Sequence, residues 1–260
     1  MTRKTLFTVA TLTLFAWTAG CGGGKKEEAG KEAAPAGGGP VMKIDPATAG
    51  AITGKASFSG TAPSPKTISM DAEPDCKNLH STPVKTEEVI ANPNGTLANV
   101  FVYIKAGFEG KSFEPPTSPE MLDQKGCIYR PHVVGVRTGQ AISIANSDPT
   151  THNIHPMPRI NREWNQSQPP KAANLEKQFA RPEVMVAVKC NVHPWMKSYI
   201  GVVDNPYFAV TGAQGTFELK NVPPGDYTLE AWHEKYGTAE QKVTLAPSGT
   251  QTVAFAFKGE

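Results

Sequence analysis

Helix signals are nearly absent from this 260-residue chain. Its apolar runs are short and are cut by 24 glycines and 23 prolines, which argues against a helical bundle. Strong charge is lacking too. The formal net charge is +2, with no basic run and no interleaving of basic and aromatic residues, so nucleic acid is not an expected partner. Cysteine is scarce: Cys21, Cys76, Cys127 and Cys190 are all there are. No Cys-x-x-Cys-His haem attachment site occurs, so any cytochrome partner has to be a separate protein. The most apolar stretch, Leu6 to Trp17, is too short for a persuasive membrane span.

What the amino terminus does have is an export pattern. Arg3 and Lys4 precede the apolar stretch, and the small residues Thr18-Ala19-Gly20 lead into Cys21. Residues 1–20 therefore read as a secretory signal peptide. The junction resembles a bacterial lipoprotein lipobox, with Thr18 where Leu is usual. The resemblance implies cleavage before Cys21 and lipidation of that residue, which would hold the protein on a membrane without a spanning helix. The alternative is ordinary cleavage that leaves Cys21 free. Gly22 rather than Asp after Cys21 favours the outer membrane over the inner, by resemblance to known sorting. Residues 21–47 are Gly, Ala, Lys, Glu and Pro with little to bury, and read as a tether. Twenty flexible residues reach roughly 25 Å end to end. The expected location is the bacterial periplasm or cell surface, where disulfides persist.

Short strands with Gly/Pro turns occupy the rest, the signature of β-sandwich architecture. Ile52, Ala56 and Phe58 sit among glycines, and Leu97 to Lys105 is rich in β-formers. Residues 109–126 look like a surface connection with a helical turn near Met121. Ile128–Val136 and 141–145 read as strands around the Thr138-Gly139 turn. Val184, Val186 and Val188 alternate in phase with Cys190, which aims its thiol into a core. Tyr199–Asp204 is one further strand, and 211–257 holds several more.

At the end of the alternating valines stands Cys190-Asn-Val-His193-Pro-Trp-Met196. A thiolate, an imidazole and a thioether within seven residues are soft or borderline donors that suit copper better than magnesium, calcium or manganese. A second histidine is available in Asn146-Ser-Asp-Pro-Thr-Thr-His152-Asn153. Zinc also accepts a Cys/His/His set. Apart from Cys21 three cysteines remain, so one stays unpaired; with Cys190 among metal donors, Cys76 and Cys127 are the expected disulfide pair.

Residues 127–204 resemble the cupredoxin family. Tyr129 to Asp148 followed by His152-Asn153 is similar to its first half, and Cys190-x-x-His193 with a nearby Met is similar to its ligand loop. The resemblance implies a Greek-key β-sandwich with one type 1 copper ion held by His152, Cys190 and His193, with Met196 as weak axial ligand. It also implies that Asn153 braces the ligand loop. Plastocyanin-like members place Met five residues after the His, whereas here the spacing is three. Met157 is a distant substitute. A dinuclear centre would need a second cysteine four residues from Cys190, and that position is Pro194. His155 has the opposite strand parity from His152 and is expected at the rim. Trp195 either covers the metal or offers a docking surface, with covering preferred. His80 and His132 are expected to be structural or exposed.

Gly50-x-Ile-x-Gly with Asn99-Val-Phe-Val-Tyr-Ile-Lys, and Thr211 to Leu229 with its Val222-Pro-Pro-Gly225 turn, resemble two parts of a carboxypeptidase regulatory-like or transthyretin-like sandwich. Neither part has strands enough to bury a sheet alone. The expected organisation is one such sandwich from 48–108 and 206–258, with the cupredoxin domain, 127–205, inserted. Tandem domains are the rival. Trp232-His233-Glu234 is expected to play a structural strand-end role.

The expected function is membrane-anchored carriage of single electrons between exported redox proteins such as c-type cytochromes. The protein is not expected to be an enzyme, because four protein ligands leave substrate no open metal position. Copper delivery or storage without electron transfer is one alternative. A metal-free surface β-sandwich binding module is another.

Overall fold

A computed structural model describes residues 39–260. The expected signal peptide, Cys21 and most of the tether lie outside the described residues.

In chain order, β1 (Gly50–Ser59) precedes an irregular excursion that carries the short helix α1 (Pro74–Lys77). Then come β2 (Ala91–Asn92), β3 (Thr96–Leu97) and β4 (Phe101–Ala106). The central part supplies β5 (Glu120–Gln124), β6 (Tyr129–Arg130), β7 (Val133–Arg137), β8 (Ile142–Asn146) and β9 (His152–Met157). It continues through β10 (Gln166–Gln168), β11 (Leu175–Lys177), β12 (Glu183–Lys189) and β13 (Lys197–Val203). The tail adds β14 (Phe208–Val210), β15 (Thr216–Val222), β16 (Gly225–His233), β17 (Gly237–Leu245) and β18 (Thr250–Lys258). The fold is all-β, as the turn spacing led one to expect.

Two sandwiches divide these strands. In the first, β1 lies between β15 and β18, and the opposing sheet runs β14-β4-β16-β17. Strands from before residue 107 and after residue 207 thus share both sheets. Ile52, Leu97, Ile104, Phe217, Leu229 and Phe255 fill the space between them. The second sandwich has sheets β10-β9-β12-β13-β7 and β11-β8-β5-β6. Leu122, Ile142, Ile154, Val186, Val188 and Ile200 are among its core.

The sandwiches meet where Phe101 of β4 and Phe208 of β14 pack against Val133 and Val203. Gly135 and Gly201 face each other across β7 and β13 at this contact. A Cβ on Gly135 would fall 2.4 Å from the Phe208 ring, and one on Gly201 2.5 Å from the Phe101 ring. The paired glycines make a notch into which the aromatic rings fit.

Three features depart from the sequence expectations. First, residues 109–126 are more than a connection and carry no helical turn at Met121. β5 runs parallel to β8 and buries Leu122 completely, while Met121 faces outward. Second, part of the 48–108 segment belongs to the other core: Ile68, Met70, Cys76 and Val84 pack into the second sandwich. The excursion after β1 crosses from one core to the other, and the Cys76–Cys127 bond ties it there. Third, Val184 is out of phase with Val186, Val188 and Cys190. A register shift between Glu183 and Val186 turns it toward the inter-domain contact. The bulge adds a residue, which reverses the alternation upstream of it.

Candidate metal centre

β9 and the loop after β12 bring the predicted donors together. His152 is the first residue of β9, and Cys190 follows β12 directly, in phase with buried Val186 and Val188. The loop then folds over on itself: Met196 N–H donates to His193 O at 2.9 Å, and Cys190 N–H to Met196 O at 3.3 Å. Cys190 is 2% exposed, and His152, His193 and Met196 are fully buried. His152 Nδ1 and His193 Nδ1 face each other at 2.9 Å, and Cys190 Sγ stands 3.8 Å from His193 Nδ1. Donor atoms of His152, Cys190 and His193 all lie within 4.8 Å of one another. Met196 shares the Cys190 core.

The chemistry of this donor set fits copper. Two imidazole nitrogens and one thiol sulfur converge among buried side chains, with a thioether in the same core. Burial pushes the Cys190 thiol up, but hydrogen bonds from His152 and from the Asn153 and His193 region outweigh it and set it below its ordinary value. The two imidazoles are unlike. Burial works to lower His152, yet the Asp148 and Cys190 partners raise it above the usual histidine value. Burial and the neighbouring His152 charge together lower His193.

Sequence reasoning quoted Asp148 in its motif but assigned it no role. Its Oδ2 accepts from His152 Nε2 at 2.9 Å and from Cys127 N–H at 2.7 Å, and its Oδ1 accepts from Gly126 N–H at 2.6 Å. Burial raises this carboxyl, and those hydrogen bonds more than reverse the effect, leaving it below the carboxylate range. A carboxylate on the outer nitrogen fixes the ring and its tautomer, leaving the inner nitrogen as donor. The Asp-x3-His spacing in the sequence was the available signal.

Asn153 braces the loop through its side-chain oxygen, which accepts from Asn191 N–H at 2.6 Å, Val192 N–H at 3.3 Å and Cys190 Sγ at 3.3 Å. Its amide nitrogen donates to Asn165 Oδ1 at 2.6 Å. Tyr129, also unassigned from sequence, donates to Asn153 O at 2.6 Å and ties β9 to the opposite sheet.

Other candidates lie away from the donors. His155 points outward, between Asn191 Oδ1 and Glu163 Oε1. Met157 is 37% exposed and lines an open cleft of about 510 Å³ with Cys190, Lys189, Lys197 and Tyr199. It sits on the outer face of β9 because its parity matches His155, not His152. Trp195 covers: its ring centroid is 5.2 Å from that of His193, and its Nε1–H donates to Cys127 O at 3.0 Å. Cys76 and Cys127 are bonded, 5.5 Å apart at Cα. His80 bonds Gly126 O, and His132 lies between Glu234 and Glu87.

Residues 201–258 match the carboxypeptidase regulatory-like domain family. The matched segment begins in the last residues of β13 and continues through β14 to β18, so most of it is one part of the first sandwich; β1 and β4 complete the sheets from outside it. No curated protein matches the chain. Among solved structures, the chain is similar to a copper-containing nitrite reductase from Thermus scotoductus SA-01, at 19% identity and a TM-score of 0.30, over 38% of this chain. The likeness spans a quarter of that enzyme's length. A purple cupredoxin from Nitrosopumilus maritimus is similar at 17% identity and a TM-score of 0.28, over 32% of this chain and 98% of that one. A reduced amicyanin variant is similar at 20% identity and a TM-score of 0.30, over 39% of this chain and 97% of that one.

Proposed function

We propose that this chain is a type 1 copper protein that carries single electrons between exported redox proteins. The observation that supports this is the convergence of His152 Nδ1, His193 Nδ1 and Cys190 Sγ in one buried pocket. A copper ion there would supply a one-electron couple, with thiolate and imidazole donors acceptable to both oxidation states. His152, Cys190 and His193 would hold it, with the buried thioether of Met196 as the remaining donor. Asp148 keeps the outer N–H of His152 engaged, Asn153 holds the ligand loop, and Trp195 excludes water from the His193 face. Four donors from the protein leave substrate no metal position, so the role is that of a carrier and not an enzyme. Donors this fully buried also favour retention of the metal over ready exchange, which ranks delivery second.

The anchor and compartment rest on the sequence pattern around Cys21. No helix among the described residues is long and apolar enough to cross a membrane. A lipid-anchored carrier on a long tether could sample partners such as c-type cytochromes along the membrane surface.

The test is the optical spectrum of the copper-loaded protein beside Cys190→Ser. Intense visible charge-transfer absorption present in the first and lost in the second, with a reversible one-electron couple, supports the carrier role. Equal lack of colour in both overturns it. Colourless, tight Cu(I) binding that passes readily to an acceptor would move the assignment to delivery.

A further inference from the structure

The cavity, clusters and surfaces of the described residues point back to one neighbour of the metal pocket. His193 is fully buried, and its inner nitrogen Nδ1 belongs to the donor cluster. Its outer nitrogen Nε2 has no carboxylate or carbonyl partner among the described residues. It faces only Cys76 Sγ, at 3.5 Å. Cys76 and Cys127 are each fully buried, and their sulfurs lie with His193 Nε2 in a second donor group whose atoms are all within 4.8 Å of one another. His152 is treated quite differently, since its outer nitrogen is held by Asp148.

We propose that Cys76, Cys127 and His193 Nε2 form a second metal site, closed while the disulfide stands and opened by its reduction, which takes a soft monovalent cation of the Cu(I) type. The proposal concerns donors outside the first pocket, but shares His193 with the carrier site proposed above. A dithiol reductant delivers two electrons and two protons: the S–S bond breaks, two thiols form, and the reductant leaves as its own disulfide. Binding of the cation then releases both thiol protons to water. Two thiolates and one imidazole nitrogen satisfy a three-coordinate soft ion. Zinc is disfavoured because a closed structural zinc site needs four ligands. A further carboxylate beside Cys127, Asp148, already accepts from His152, Cys127 N–H and Gly126 N–H. When both sites are filled, His193 bridges them with Nδ1 on one and Nε2 on the other, and gives up its Nε2 proton.

Anaerobic titration of the full chain with Cu(I), against a chromophoric chelator, tests this. The disulfide-intact chain is expected to take up one equivalent. The chain reduced with a dithiol and then freed of it should take up two, with sulfur-dominated neighbours in X-ray absorption. Cys76→Ser/Cys127→Ser should take up one equivalent under both conditions. Uptake of a single equivalent by the reduced wild-type chain overturns the proposal. So does a second equivalent that persists in the double variant, or loss of near-ultraviolet circular dichroism on reduction, since the site requires donors held in a folded core. If the intact chain binds none while the reduced chain binds one that the double variant lacks, the carrier site fails and the thiol site stands.

Discussion

At the scale of single residues, Asn153 and Asp148 decide how well the metal pocket is preformed. Asn153 Oδ1 is the shared acceptor for two backbone N–H groups and the Cys190 thiol. Asn153→Ala leaves those donors without a partner, which costs about 1–3 kcal/mol for a buried group. Thermal unfolding of the metal-free variant should show the loss, and a melting temperature equal to wild type would contradict the brace. Asp148→Asn keeps the shape but removes the charged acceptor on His152. Metal affinity should fall about 10–100-fold in a chelator competition, the usual effect of removing such a partner. Both residues were visible in the sequence as neighbours of His152. Their difference in task was not, because it depends on which backbone amides the folded loops present to each side chain.

His233 supplies a pH dependence remote from the metal. It is 1% exposed, and its Nδ1 accepts from Lys235 N–H and Tyr236 N–H, so it is held neutral. Burial pushes it down to about 4, a shift that Glu234 opposes and His132 adds to. In the unfolded chain histidine titrates near 6.5. Between those values the unfolded state binds the extra proton, so stability is full above about pH 6.5 and falls as pH drops toward 4. The span corresponds to on the order of 3 kcal/mol. His233→Asn retains an acceptor without the titration. Its unfolding free energy, from urea melts between pH 4 and 7, should vary less with pH than that of wild type. A parallel pair of curves would remove His233 as the cause.

At the scale of elements, strands with several inward apolar residues were legible and strands with one were not. β12 could be placed from Val186, Val188 and Cys190, and β1 from Ile52 and Ala56. β5 offers Leu122 as its single buried aliphatic between Glu120 and Gln124, so polar flanks masked a core strand. The amide nitrogen of its inward Gln124 donates to Gln168 Oε1 and to Ala145 O, bonds that exist only after folding. The placement of Ile68 and Met70 in the second core was likewise illegible, because a long irregular excursion has no period to read. If β5 is core, Leu122→Ala should cost about 2–5 kcal/mol. If it were a surface connection the change would stay within about 0.5 kcal/mol. Urea denaturation of the two proteins separates those outcomes.

For the whole molecule, the strands of one sandwich flank those of the other along the chain, so the two are expected to fold together. The alternating residues that suggested a split sandwich are the ones that now share its core: Ile52 and Ile104 from the first segment, Phe217 and Phe255 from the second. What the sequence could not show was the aromatic contact that joins the two bodies, because a glycine pair carries no pattern of its own. Phe101 reaches the second sandwich only because Gly201 and Gly135 leave room for the rings. Gly201→Val would set its Cβ 2.5 Å from Phe101 Cζ and 2.9 Å from Met185 Sδ, so the ring must leave the notch. Overpacking of this kind costs about 1–3 kcal/mol. The expected calorimetric result is a single transition in wild type and two in Gly201→Val, one for each sandwich. Copper stabilises only the state that binds it. Adding it should therefore raise the melting temperature of one of the variant's two transitions and leave the other in place. If both transitions rise together, or if the variant still melts in one step, the two sandwiches are coupled by something other than the seat of Phe101.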